Sequence, residues 1–131
     1  MWIYSHHIYS LNKRKSIVQW ARDFDLDGFS KPGKPGMICV EGEAENCQKF
    51  WAQLRSVPWQ RLQIKENQLY RIEMAQLREH KRFTDFREMV FSNENESHAD
   101  NGLLLAFLRD KGLQGMFHMF FGVDGKLPDS P

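Results

Sequence analysis

The sequence predicts an α+β domain in which four strands and two helices follow one another in the order βαββαβ, and three observations predict it. Two apolar stripes fall at the spacing i, i+3, i+4, i+7 of one buried helical face: Ile17, Trp20, Ala21 and Phe24, then Cys47, Phe50, Trp51 and Leu54. Short runs of β-branched and aromatic residues flank these stripes, and a proline-glycine stretch marks a turn between two of the runs. A chain of 131 residues, 41% hydrophobic and 13% aromatic, can bury a core as one domain and is not composed like a disordered one.

The first run, residues 2 to 10 (WIYSHHIYS), divides with period two into Trp2, Tyr4, His6, Ile8 and Ile3, Ser5, His7, Tyr9, and reads as strand one. The first stripe then predicts a helix over about residues 11 to 24, with Lys13, Arg14, Lys15, Gln19 and Arg22 elsewhere on its surface. Residues 25 to 36, DLDGFSKPGKPG, hold three Gly and two Pro; the two X-Pro steps push Lys31 and Lys34 toward extended backbone. A short strand from Gly28 to Lys31, a turn, and a second strand from Met37 to Glu41 form a hairpin. The apolar run MICV in that second strand suits the middle of a sheet. The second stripe predicts a helix over about residues 44 to 56, stopped at Val57-Pro58. Trp59, Arg61, Gln63 and Lys65 then alternate with Leu62 and Ile64, as in a half-buried strand with a partly basic outer face. The result is a ferredoxin-like split βαβ sandwich, with both helices on one face of the sheet.

Residues 68 to 87 are charged and mixed in sign and carry no clean period, and Asn93 to Asn101 reads as a loop. Leu103, Leu104, Phe107 and Leu108 form an apolar helix that Asp100 caps and Gly112 ends, and MFHMFFGV, residues 116 to 123, is too apolar for solvent. The expected organisation is one ferredoxin-like domain over residues 1–123, core 2–67 and helical extension 68–123, with a flexible tail at 124–131.

Eighteen Lys plus Arg against seventeen Asp plus Glu leave a net charge of +1, so no global field points to polyanions or membranes. No window approaches the roughly 18 apolar residues of a spanning helix, and the N-terminus lacks the order of a signal peptide. The expectation is an intracellular protein, cytoplasmic or nuclear. Cys39 and Cys47 then read as free, buried thiols.

The chemistry-bearing patterns are sparse. His6 and His7, taken as neighbours on a strand, point to opposite faces and do not chelate together, while His80, His98 and His118 are scattered, so no metal site is expected. Neither a nucleophile elbow nor a Walker or GxGxxG loop occurs, and the prolines of KPGKPG remove N–H groups that a phosphate cradle needs. No enzyme activity, cofactor or small-molecule substrate is expected. What remains is a basic set: Lys13, Arg14 and Lys15 on the first helix, Lys31 and Lys34 in the hairpin, Arg61 and Lys65 on the last strand. These seven cations from three segments admit two readings: one patch for RNA phosphates, with His6 or His7 donating or stacking and Trp2, Tyr4, Tyr9 or Trp59 as flat partners for bases, or a solvated helix surface for Lys13, Arg14 and Lys15 and histidines hydrogen-bonded at the sheet surface. The stacking consensus of the RRM fold is absent, since "KPGMICVEG" has no aromatic at the required positions.

The segments "WIYSHHIYS", "KPGKPGMICVEG", "FWAQLRSVPWQRLQI" and "HADNGLLLAFLRDKGLQGMFHMFFGV" together resemble the C-terminal domain of the RWD domain-containing protein 2 family. That domain is related to the C-terminal domain of the U4/U6 small nuclear ribonucleoprotein splicing factor, and the resemblance covers nearly the whole chain. It implies the same ferredoxin-like fold and, through the splicing-factor branch, RNA binding. Residue 1 leads straight into strand one with no RWD domain ahead, so the expectation is a separate short protein or an excised domain. The sequence thus points to a non-catalytic binding module for single-stranded or structured RNA, using the sheet and its adjoining basic residues. The alternative is a protein-interaction module using the apolar C-terminal segment.

Overall fold

Ser10 caps the first helix, its hydroxyl accepting from the Lys13 N–H, and from this point helices and strands alternate as the periodicity predicts. The computed structural model describes residues 1–67, 81–91 and 101–121. It shows β1 (Trp2–Ser5), α1 (Leu11–Asp23), β2 (Asp27–Lys31), β3 (Gly36–Glu41), α2 (Ala44–Arg55), β4 (Gln63–Glu66) and β5 (Phe86–Glu88). Two further helices follow, α3 (Asn101–Asp110) and α4 (Gln114–Phe121). The chain divides into two compact units, Met1–Met89 and Val90–Pro131.

In the first unit the sheet order is β4-β1-β3-β2-β5. β1 is antiparallel to both β3 and β4, and β2 is antiparallel to β3, which is the ferredoxin-like arrangement. MICV indeed lies in the central strand. β5 adds a parallel strand on the far edge of β2, in the segment where the sequence carries no clean period. Its approach is held by polar contacts. The Lys81 ammonium pairs with Asp27 at 2.8 Å, and Glu41 accepts the backbone N–H groups of Arg82 and Phe83. Asp27 and Glu41 are cross-strand partners, so two adjacent carboxylates anchor the entry to β5.

The helices cover one sheet face. Ile3, Ile38, Val40 and Phe86 point toward them and meet Ile17, Ala21, Cys47, Phe50 and Leu54, while Trp20, Phe24, Trp51, Leu62 and Ile64 pack half-buried around this core. Both stripes therefore face the sheet as the helical spacing predicts. The opposite face is buried as well. Trp2, Tyr4, Phe29, Met37 and Cys39 are each at most 6% exposed, and the Trp2 and Phe29 rings meet edge to face. Cys39 and Cys47 are free and buried, and burial pushes both thiols above the ordinary cysteine range.

α1 ends in a Schellman pattern: Asp25 N–H donates to Arg22 O and Leu26 N–H to Ala21 O, with Asp25 at φ 55° where glycine is commonest. α3 ends the same way on Gly112 at φ 71°, as predicted, with Gly112 N–H donating to Arg109 O and Leu113 N–H to Leu108 O. In this second unit Leu104 and Leu108 are fully buried. Phe107 is half-buried against Phe91, with ring centroids 5.2 Å apart, and Leu103 is 42% exposed. MFHMFFGV falls largely on α4, which buries Met116, Phe117, Phe120 and Phe121. The expected cap at Asp100, the loop from residue 93 to 100 and the tail at 124–131 lie outside the described residues. No described helix is long and apolar enough to cross a membrane.

Candidate nucleic-acid interface

β1 stops at Ser5, short of the strand predicted to run to residue 10. The His6 N–H donates to Gln60 O at 3.0 Å instead of to a neighbouring strand, and the Ser5 hydroxyl reaches His7 O and Gln60 O at 3.0 and 3.2 Å. Ile8 and Gly33 then exchange a pair of backbone hydrogen bonds, each 2.9 Å. Three connections are laced together here: the turn after β1, the β2–β3 hairpin loop with its cis Lys34-Pro35 bond, and the segment from α2 to β4.

This lacing gathers functional side chains at one end of the sheet. Because His6 and His7 sit in a turn, their rings come together with centroids 5.6 Å apart, which corrects the expectation that they diverge across a strand. The His7 ring stacks on Tyr9, 4.8 Å away and 18° from parallel, and Tyr9 is 59% exposed. Burial, then the charges of Lys34, His7 and Arg61, hold His6 below the ordinary imidazole value, so these groups share one electrostatic neighbourhood. Among the described residues no group of three or more His, Cys, Asp or Glu side chains is placed to hold a metal ion.

Lys13 joins the same end from α1. Its ammonium donates to Pro58 O and lies 4.8 Å from the centroid of the Trp59 ring, whose Nε1 donates to Leu54 O at 2.6 Å. Trp59 therefore serves as a post for the loop that carries Arg61, itself in left-handed backbone at φ 55°. α1 has no acidic residue in its first turn, so the partial positive charge of its N-terminus adds to Lys13 instead of being neutralised.

The remaining cations of the predicted patch lie elsewhere. Arg14 turns toward β5, making a two-pronged pair with Glu88 at 2.8 and 2.9 Å that raises its pKa, while Lys15 is exposed on α1. Lys65 sits over the Tyr4 ring, 5.1 Å from its centroid, beside the face opposite the helices. Lys31 is 1% exposed. On β2 it shares a face with buried Phe29, and its ammonium donates to Pro35 O at 2.8 Å and Pro32 O at 3.3 Å, bracing the hairpin loop from inside. Trp2 and Tyr4, at 5% and 6% exposure, present no face to a base. Sequence reasoning missed the Tyr9–His7 stack and the Lys13–Trp59 contact; only the turn-forming KPGKPG, which brings Gly33 to Ile8, hinted at them.

Burial lowers the Lys31 pKa to about 8. Between that value and the usual 10.5, the unfolded chain holds a proton that the folded chain has shed. The penalty of the buried charge is complete below pH 8 and fades as pH rises, so stability contributed at this site increases across the window by about 1–3 kcal/mol. Denaturant unfolding of wild type and Lys31→Met at several pH values measures it: the difference between the curves shifts in favour of wild type with rising pH. Parallel curves would mean that the ammonium is solvated.

The fold and this cluster define a ferredoxin-like α+β domain that presents cations and flat rings on the loops at one end of its sheet. The chain belongs to the family of the small nuclear ribonucleoprotein Prp3 C-terminal domain, whose model it matches over residues 1–120. It is also 30% identical over 104 residues to phomoidride biosynthesis cluster protein F of Fungal sp. (strain ATCC 74256). That match covers 77% of this chain and 34% of the fungal protein, so the chain spans about a third of the length of this relative.

Proposed function

We propose that this chain is a non-catalytic module that binds single-stranded RNA at the loop cluster, with Lys13, Lys34, Arg61, His6 and His7 on phosphates and Tyr9 against a base. The observation that carries this reading is the lacing of the loops, His6 N–H to Gln60 O and Ile8 to Gly33, which brings the segments carrying Arg61 and Lys34 to the turn where the exposed Tyr9 ring stacks on His7. Single strands are held by a cationic track plus flat rings for their bases, and both are supplied here by three linked loops. Lys15 extends the surface along α1, whereas Arg14 and Lys65 are outlying contacts and Lys31 is a brace. The family description names a ribonucleoprotein, which favours RNA. Within that family we read the chain as a member of the branch found in RWD domain-containing protein 2, acting in the nucleus or cytoplasm.

A second reading, a protein-interaction module using the C-terminal segment, draws on Leu103 and Met119, which are 42% and 37% exposed on α3 and α4. Photo-crosslinking of the full chain to a 12-nucleotide RNA containing 4-thiouridine separates the two. Crosslinked peptides containing His6–Tyr9 or Trp59–Arg61 are expected. Crosslinks confined to residues 101–121 would contradict the loop cluster as the RNA site, and none while the protein remains folded would contradict the RNA reading and leave the second one ahead.

A further inference from the structure

We propose that Lys31 is a positioning residue for the RNA site, its buried ammonium shaping the β2–β3 loop from inside so that the loop meets the turn after β1 and presents Lys34. This rests on the RNA reading above and concerns what sets the shape of that site. The loop runs from Pro32 to Pro35, between the end of β2 and the start of β3. Its two prolines carry no N–H, and the Gly33 N–H is already given to Ile8 O at 2.9 Å, so the loop has almost no donors for its own carbonyls. The Lys31 ammonium supplies them, donating to Pro35 O at 2.8 Å and Pro32 O at 3.3 Å, at the two ends of the loop. Between those ends a Cβ built on Gly33 would lie 3.8 Å from the same nitrogen, so the loop folds around the ammonium. Gly33, at φ 96°, exchanges its backbone pair with Ile8, whose side chain packs over Gly36 just past the loop: a Cβ there would meet Ile8 Cγ1 at 2.3 Å.

Folding alone gives no reason for a charge here. Lys31 is 1% exposed, and among the described residues no carboxylate pairs with its ammonium. Two carbonyl dipoles compensate a buried charge only in part, and burial accordingly lowers its pKa to about 8. A methionine of similar length would fill the same space without the desolvation cost. What methionine cannot do is donate to Pro32 O and Pro35 O. The ammonium therefore costs stability at its own position while fixing a loop conformation, and that conformation holds Gly33 against Ile8, next to the turn with the His7–Tyr9 stack. Lys31 acts through the loop and touches no RNA itself, since it is enclosed.

Denaturant unfolding, amide exchange and RNA binding of the full chain carrying Lys31→Met test this. At pH 7 the variant should be at least as stable as wild type. Its amide exchange, followed by NMR, should nevertheless be roughly tenfold or more faster at Ile8 and Gly33, with the amides of β1 and β3 unchanged. Binding to a 12-nucleotide oligouridylate at low salt should weaken roughly three- to tenfold, with a salt slope shallower by about 0.7, as for one lost phosphate contact. Lys34→Gln is the second variant, and a double-mutant cycle joins the two: if Lys31 acts by placing Lys34, the double variant should lose less affinity than the two single losses multiplied. Independent losses overturn the positioning role. Unchanged exchange at Ile8 and Gly33 overturns the brace and leaves the RNA reading in place. So does a Lys31→Met chain that fails to fold, for the ammonium would then hold the whole domain rather than the loop. Failure of wild type to bind removes the RNA reading, and with it the role given to Lys31.

Discussion

Phe50→Ala is expected to lower the unfolding free energy by about 3–5 kcal/mol, the range for deleting a large buried aromatic and leaving its volume unfilled. Phe50 is completely buried at the centre of the helix-sheet cluster, where α2 meets residues from β1, β3 and α1. Ile3, Ile38, Ile17 and Leu54 in that cluster are also fully buried, so no side chain at the surface can swing in to fill the space. Trp51, one position along, is half-buried and should cost less despite its larger ring. Chemical denaturation followed by circular dichroism gives both values. A loss at Phe50 below that at Trp51 would mean that α2 presents a different face to the sheet.

Gly28→Ala should be comparably severe, at roughly 3 kcal/mol or more, for a different reason. Gly28 has φ 139°, outside the regions an alanine adopts easily, and an added Cβ would lie 1.9 Å from the Cys39 carbonyl oxygen on β3. The obstacle is backbone in the central strand, which cannot move aside without breaking β2–β3 pairing. Its N–H also donates to Asp85 O, so the parallel strand β5 would be disturbed in turn. Gly112→Ala makes the comparison: φ is 71° but nothing lies within 4 Å of the added carbon, so only the conformational cost, on the order of 1 kcal/mol, should appear. Equal losses at the two glycines would contradict the close approach of β2 to β3.

The helices and the hairpin were legible because their signals are local. The Ile17 and Cys47 stripes repeat over two turns each, and the Pro-Gly punctuation between Lys31 and Met37 admits little besides a turn. Strand β1 was read too long because Ile8 and Tyr9 have β propensity, yet pairing is decided by whether a neighbour strand is present; beyond Ser5 the backbone bonds go to Gln60 and Gly33 in loops. β5 was invisible for the same reason: three residues have no period, and their place depends on Asp27, Glu41 and Arg14, distant in sequence.

The candidate site was half legible. Residue type and charge point to Lys34, Arg61, His6 and His7 as candidates, but which loops meet in space is set by contacts between segments distant in sequence. The burial of Lys31 could have been read: period two puts it on the same face of β2 as Phe29. The pairing of Arg14 with Glu88 could not, since it spans 74 positions of sequence.

The most direct test of the RNA reading is the salt dependence of binding to a 12-nucleotide oligouridylate, for wild type and for the variant carrying Lys13→Gln, Lys34→Gln and Arg61→Gln together. Each lost phosphate contact on a single strand lowers the steepness of log affinity against log salt by about 0.7, so the triple variant should be shallower by about 2 and weaker at low salt. Lys49→Gln, an exposed position on α2 that pairs with Glu45, serves as the control and should leave the slope of wild type unchanged. A folded triple variant with the affinity and salt slope of wild type would contradict the account, removing the loop cluster from the interface.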